Sequence, residues 1–446
     1  MSEPSTPIAG RNGVVIVKST EHSADQSSGY RTYEVHQRER VGESTPLIKP
    51  GALISDEFRR DPYPLCQILR ENYPCYRNWQ TNSYWLTRYD DVTSVFVDDA
   101  NFESRPKRWL YNQVDLGRDL GDKLPVLTAE AKLTDALAQP IAMALAERLA
   151  AQSTADLVSQ VTAKFPLELL AALLALPEDS KNTFYHAYWR AQRGTSWMPS
   201  LQSDGALALQ ELVRFFRPLV FERQQNPAED LLSALVTLSD LDGGAEVTAE
   251  DVVVTLLERD HETLQGSLTN LWYLLLTHQD AFDQARAERR LMKLAYLEAV
   301  RHSTPVLAAH RYTRHEVERF GKLLPAGALV VCSAAAANRD PRIFSEPDRF
   351  IVDRKDLCQR EPRGQYRADG LASGITFGLG KPSIYPAIPE DRPRSKYALN
   401  RDTVVSVSII LAEVLPDLRL AADAHPYLTA LSVGEMHTCW QLPVVC

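Results

Sequence analysis

Six consecutive polar residues, Glu258, Arg259, Asp260, His261, Glu262 and Thr263, interrupt the apolar periodicity of a helical stretch from Thr248 to Leu276. Carboxylates beside a hydroxyl and a cation can move protons on a small hydrophobic molecule, the chemistry of isomerisation, dehydration or cyclisation. Successive helical side chains stand about 100° apart, so Asp260, His261 and Glu262 cannot all face one cavity, whereas Glu258 and Glu262 share a face. Arg259 carries a fixed charge suited to neutralising an acid such as Asp135 or Glu262, or to holding an anionic ligand. A metal site built on His261 is not expected, because such a histidine more often bonds to a neighbouring helix. Glu298 and Arg301 form a second constellation, at i and i+3 on one helix face where they can pair. The six cysteines (Cys66, Cys75, Cys332, Cys358, Cys439, Cys446) are scattered without a CxxC, which argues against zinc or a disulfide framework and predicts free thiols.

The elements that must position these residues are mostly helices. Apolar residues at a 3.6-residue period predict helices in IAMALAERLAAQ, ADLVSQVTAKFPLELLAALLAL, GALALQELVRFFRPLVFERQQ and the stretch from Thr248 to Leu276. Upstream, DPYPLCQILRENYPCYRN predicts a short helix, and SYWLTRYDDVTSVF predicts a strand that turns into a helix at Asp90. After Val306 the pattern changes to short strands, a Pro- and Arg-rich meander and a last helix near Arg401 to Val414. Residues 1–45, rich in Ser, Glu, Gln and Arg, are expected to be a disordered or loosely attached arm, and 46–446 a single large domain. The fold class is mainly α with small β-sheets (α+β).

With 446 residues, 44% of them hydrophobic and 24% charged, the chain can bury a large core. Its 49 Lys and Arg against 58 Asp and Glu leave a net charge of -9, which disfavours nucleic acid or an anionic membrane as the main partner. The longest apolar run, Leu167 to Leu176, is far short of the roughly 20 residues that span a bilayer. The N-terminal residues lack a basic stretch followed by an apolar one, so a cytoplasmic location is expected. No segment carries a nucleotide-binding glycine pattern.

From about Asp61 to Cys446 the order of segments resembles a bacterial cytochrome P450, the heme-thiolate monooxygenase family. DPYPLCQILRENYPCYRN and SYWLTRYDDVTSVFVDDANFESRP resemble the family's opening helix and first sheet, and DHETLQGSLTNLWYLLLTHQD its long central helix. Glu298, Ala299, Val300 and Arg301 match the ExxR helix, and PAGALVVCSAAAANRDPRIFSEPDRFIVDR is similar to the sheet and meander. The resemblance implies a structural Glu-Arg-Arg network of Glu298, Arg301 and Arg349, the last within EPDRF.

The chain also departs from that pattern. In the heme loop Phe377, Gly378 and Gly380 match, but Pro382 stands at the basic position and Ile384 at the cysteine position. Isoleucine has no lone pair and cannot give the thiolate push that cleaves the O–O bond. Where the family places a His and an Arg for the heme propionates, the chain has Ala131 and Asp135, leaving Arg311 as the surviving partner. Arg259 and Asp260 replace two small residues, while Glu262 and Thr263 match the acid and threonine. The stretch KPSIYPAIPEDRPRSKYALN is longer than usual and stiffened by Pro382, Pro386, Pro389 and Pro393.

These departures imply that heme, and any other cofactor, is absent. The expected function is then an auxiliary or activator of a partner biosynthetic enzyme in secondary metabolism, as heme-free relatives of this fold activate glycosyltransferases; a carrier-protein domain is an equal candidate partner. Two alternatives stay open. One is an enzyme that uses Arg259, Asp260, Glu262 and Thr263 for acid/base chemistry on a small hydrophobic substrate. The other is a heme protein with a non-cysteine axial ligand such as Tyr385.

Overall fold

Tertiary packing joins and breaks the periodic segments of the sequence at places that periodicity alone does not mark. The computed structural model describes residues 7–9, 15–17, 45–106, 116–195, 199–238, 244–259, 261–362, 370–379, 394–430 and 436–446. Within the stretch expected to be an arm, β1 (Pro7–Ala9) and β2 (Val15–Val17) pair antiparallel; residues 18–44 lie outside the described ones. Ser55 caps α1 (Asp56–Arg60) by accepting from the Phe58 N–H, and α2 (Tyr63–Asn72) begins just after Pro62. Then β3 (Cys75–Asn78) and β4 (Ser83–Leu86) form a hairpin that leads into α3 (Tyr89–Phe96) and β5 (Phe102–Glu103).

The helical body starts with α4 (Leu124–Ala150), which runs unbroken through Pro140. The sequence segments TAEAKLTDALAQP and IAMALAERLAAQ are therefore one helix, whose Val126, Thr134, Ala138 and Ala142 form a buried stripe. After β6 (Thr154–Asp156) come α5 (Lys164–Leu173), α6 (Lys181–Arg193), α7 (Pro199–Gln225) and the short α8 (Leu231–Val236). A reciprocal cap between Thr248 and Asp251 opens α9 (Ala249–Glu258), and Arg118 locks it through a 2.7 Å bond to the Asp251 carboxylate. Burial alone would raise the Asp251 pKa, but the Arg118 hydrogen bond and the capped backbone outweigh it and hold the carboxyl below its usual range.

The central element is α10 (His261–Thr277), with Leu268, Leu271, Trp272 and Leu275 all at 0% exposure. Each such side chain contributes about 1.5–3 kcal/mol of apolar burial. The Trp272 indole donates to Ser408 Oγ at 3.2 Å. Gly266 lets α10 approach a neighbouring turn, since a Cβ there would lie 2.9 Å from Pro305 Cβ. Next follow α11 (Gln279–Arg286), α12 (Arg289–His302), β7 (Ala309–Thr313), β8 (Val317–Arg319), β9 (Lys322–Leu324), β10 (Leu329–Cys332) and the single turn α13 (Ala334–Ala337). The five-stranded sheet runs β3-β4-β10-β7-β5, with β10 parallel to β4 and the other pairs antiparallel. Finally, α14 (Lys396–Val414) packs along α4, α10 and α12. It precedes β11 (Arg419–Leu420), β12 (Tyr427–Ala430), β13 (His437–Gln441) and β14 (Pro443–Val445). The molecule is mainly α with small sheets, and among the described residues no helix is long and apolar enough to cross a membrane.

The Glu298–Arg301 pair on α12 is fully buried, with Arg301 Nε 2.7 Å and Nη2 2.8 Å from the two carboxylate oxygens. Arg301 also donates to the carbonyls of Asn338 (2.8 Å) and Pro347 (2.9 Å), which pins the meander to the helix. The third member is not Arg349. That side chain is exposed and pairs with Glu346, offering the network only its backbone carbonyl. Instead, Arg354 completes it, with Nε 3.0 Å from Glu298 Oε1. The correction has a geometric cause: the meander turns between the two arginines, so that the Ile351 N–H (3.1 Å) and Arg354 face Glu298.

Candidate functional site

Arg259 sits at the break between α9 and α10, with extended backbone (φ -78°, ψ 116°) that ends the first helix. Its side chain is 3% exposed and reaches Glu130 on α4, to which Nη2 donates. Its Nε and Nη1 are buried with no hydrogen-bond partner. Burial raises the Glu130 carboxyl above its usual range, although the charges of Arg259 and Lys396 pull the other way. Beside the pair lies a cavity of about 50 Å³ walled by α4, α5, the α9–α10 junction and α14.

The sequence did not single out Glu130, yet a signal was there. Val126, Glu130, Thr134, Ala138 and Ala142 recur every four residues on one face of α4, so the carboxyl stands within a buried stripe. The structure brings Arg259 to Glu130 and not to Asp135 or Glu262. Asp135 is exposed and pairs with Arg394. Because Arg259 is extended, Glu258 and Glu262 belong to two helices, and the shared face expected for them is lost.

Thr263 is buried and Glu262 half-buried in the first turn of α10, while Asp260 lies outside the described residues. Arg311 is not aimed at the cavity; it stacks over the Phe96 ring (5.0 Å) and donates to the His310 carbonyl (2.8 Å). In the glycine loop, Phe377 meets the Tyr397 ring edge-on at 6.4 Å. Gly378 adopts φ +77°, a left-handed turn that favours glycine. Upstream of it, Ile375 donates to Asn338 Oδ1 (2.8 Å) and Thr376 to the Val300 carbonyl, which ties the loop's base to α12. Gly380, Pro382, Ile384 and Tyr385 lie outside the described residues. Among the described residues no cluster of His, Cys, Asp and Glu is arranged to hold a metal ion.

The family model for cytochrome P450 matches residues 181–357. The chain is 28% identical over 364 residues to the cytochrome P450 monooxygenase PikC of Streptomyces venezuelae, covering 76% of this chain and 84% of that protein. It is 25% identical over 397 residues to the pulcherriminic acid synthase of Bacillus subtilis, covering 84% of this chain and 93% of that one. Among solved structures, P450BioI in complex with an acyl carrier protein ligated to hexadec-9Z-enoic acid superimposes with a TM-score of 0.70 at 19% identity, covering 88% of this chain and 100% of that one.

Such relatives are heme-binding enzymes, and this overturns the expectation that the chain has no cofactor: the comparisons point to heme. The described donor set does not fit heme held through a thiolate. Cys75 and Cys332 are on the five-stranded sheet, Cys66 is on α2 with its sulfur 3.9 Å from Ser333 Oγ, Cys358 follows the meander, and Cys439 and Cys446 are at the C-terminal strands.

Proposed function

The chain belongs to the cytochrome P450 superfamily, and from that footing we propose that it serves the biosynthesis of a small natural product as an auxiliary of a partner enzyme or carrier protein. The biosynthetic part is supported by relatives such as PikC and the pulcherriminic acid synthase. A carrier protein as partner is supported, in kind, by the acyl carrier protein bound to P450BioI. The auxiliary part rests on one observation, the buried Arg259–Glu130 pair. It puts a charged pair at the helix break where the resemblance implies two small residues, an environment unsuited to pressing an apolar substrate against an oxidant. Meanwhile the buried Glu298–Arg301–Arg354 network is intact, so the scaffold that would carry a docking surface is held together. A cytoplasmic location is part of the same reading.

A second reading, an enzyme in its own right, is favoured by the raised Glu130 carboxyl at the edge of a cavity, an arrangement suited to general acid chemistry. One experiment separates the two. The purified chain is mixed with a natural-product glycosyltransferase or a carrier-protein-bound intermediate and its synthetase, and product formation is followed with each component omitted in turn. The auxiliary role predicts that the chain alone forms no product and raises a partner's turnover several-fold. Product formed by the chain alone from a pathway intermediate would overturn that role, and loss of this activity in Glu130→Gln would establish the second reading.

A further inference from the structure

We propose that Asn338, Thr376 and Tyr89 are positioning residues that preform the glycine loop, so that whatever binds there meets the turn at Gly378 already set. The loop's backbone is held by side chains from elements far apart in the chain. Asn338, which ends α13, is fully buried; its Oδ1 accepts from the Ile375 N–H (2.8 Å) and its amide donates to Thr376 Oγ1 (3.0 Å) and Thr304 Oγ1 (3.2 Å). Both hydroxyls donate in turn to carbonyls at the end of α12, Thr376 to Val300 and Thr304 to Arg301. A hydroxyl whose one proton is used can only accept from the amide, which fixes the way Asn338 faces.

Tyr89 holds the loop from the other side. Its hydroxyl donates to the Ser373 carbonyl (2.9 Å) and accepts from the Ser373 N–H (3.1 Å). The ring meets Phe344 edge-on at 5.8 Å, and the Tyr89 N–H donates to the buried Asp340 carboxylate at 3.1 Å, so the phenol is itself anchored. Beyond these clamps the Gly378 N–H returns to the Ile375 carbonyl (2.9 Å) and closes the turn.

The Asn338 carbonyl accepts from Arg301 Nη1 at 2.8 Å, which continues the buried Glu298–Arg301–Arg354 network into the loop. Tyr89, Ser373, Thr376, Thr304 and Asn338 are all buried, and a buried polar group that loses its partner is stranded away from water. The loop therefore keeps its shape through protein contacts alone, and binding at it carries no cost of ordering the backbone. This holds whether the chain acts as an auxiliary or as an enzyme, because the contacts lie within the fold.

The test is amide hydrogen exchange in the full-length protein, resolved residue by residue by mass spectrometry with electron-transfer fragmentation, before and after addition of hemin. In the wild type the Ser373, Ile375 and Gly378 amides should be protected before hemin and change by less than about twofold after it. Tyr89→Phe should speed exchange at Ser373 by about tenfold or more, and Thr376→Val should do so at Ile375, while Leu268 in α10 keeps its rate. Thr376→Ser, which keeps the hydroxyl, should leave Ile375 at the wild-type rate. Loop amides that become protected only with hemin would show that the cofactor shapes the loop and would overturn the proposal. So would unchanged protection in Tyr89→Phe and Thr376→Val, equal loosening in Thr376→Ser, or exchange at Leu268 that rises together with that of the loop.

Discussion

Two buried ion pairs in this chain differ in how fully their donors are satisfied, and replacing each tests the reasoning about Arg259. Arg301 satisfies both oxygens of Glu298 and two further carbonyls, with both residues at 0% exposure. Arg301→Met strands a buried carboxylate, so it should cost about 3–5 kcal/mol. Arg259 makes a single charge-assisted bond to Glu130 and leaves two buried nitrogens unpartnered. The bond contributes about 1.5–3 kcal/mol, while each unpartnered buried donor costs about 1–3 kcal/mol. Replacing both partners by apolar groups, in Arg259→Met/Glu130→Leu, removes the bond and both penalties together. The double variant should range from unchanged to about 3 kcal/mol more stable, in line with buried pairs replaced by packed hydrophobes. Urea unfolding followed by far-UV circular dichroism, compared at equal slope, gives both numbers. If the double variant loses about 3 kcal/mol or more, Arg259 is as well satisfied as Arg301 and its two nitrogens are not the penalty that the structure indicates.

The corrected network predicts that Arg354→Met destabilises by about 3 kcal/mol or more, since it breaks a buried bond to Glu298, whereas Arg349→Met changes stability by less than about 1 kcal/mol. Denaturation midpoints of the two variants check the order, and the reverse order would restore Arg349. Burial pushes the thiols of Cys66 and Cys439 up to about 11 and those of Cys75 and Cys332 up to about 12. The folded protein should therefore present one readily labelled thiol, the partly exposed Cys446, and all six after denaturation, as counted with a chromogenic disulfide reagent. His302 is pushed down to about 2, by burial first and then by the neighbouring Arg339 charge. The unfolded chain takes up a proton at the ordinary value of 6.5 that the folded chain refuses, so stability falls as pH drops below that value. His302→Gln should flatten this slope in thermal midpoints measured between neutral and acid pH.

Local patterns were legible in the sequence, and contacts set by distant turns were not. Glu298 and Arg301 could be paired because i,i+3 spacing fixes their meeting on one helix. The choice between Arg349 and Arg354 depends on how an irregular meander folds back, which no period encodes. Proline normally marks a helix boundary, yet Pro140 lies inside α4, where packing against α5 and α14 sustains the helix. The break at Arg259 was hidden by the reverse effect, because apolar periodicity continues on both sides of it. Glu130 was missed because a glutamate on an amphipathic helix reads as a solvent-facing residue, and its partner is 129 positions away. The expectation of no cofactor came from departures at a few positions: Pro382 and Ile384 in the glycine loop, Ala131 and Asp135, Arg259 and Asp260, and the longer stretch before the last helix. The likeness to heme-binding relatives, over 76% of the chain for PikC, weighs against it.

The most direct test of the account is the absorption spectrum of the full-length protein, purified after expression with excess heme precursor, then reduced with dithionite and exposed to carbon monoxide. No cysteine stands between Cys358 and Cys439, so the account predicts that the carbon monoxide complex of any heme taken up lacks the red-shifted Soret band of thiolate ligation. A stoichiometric thiolate-type band would contradict it and return the chain to the oxygen-activating members of its superfamily.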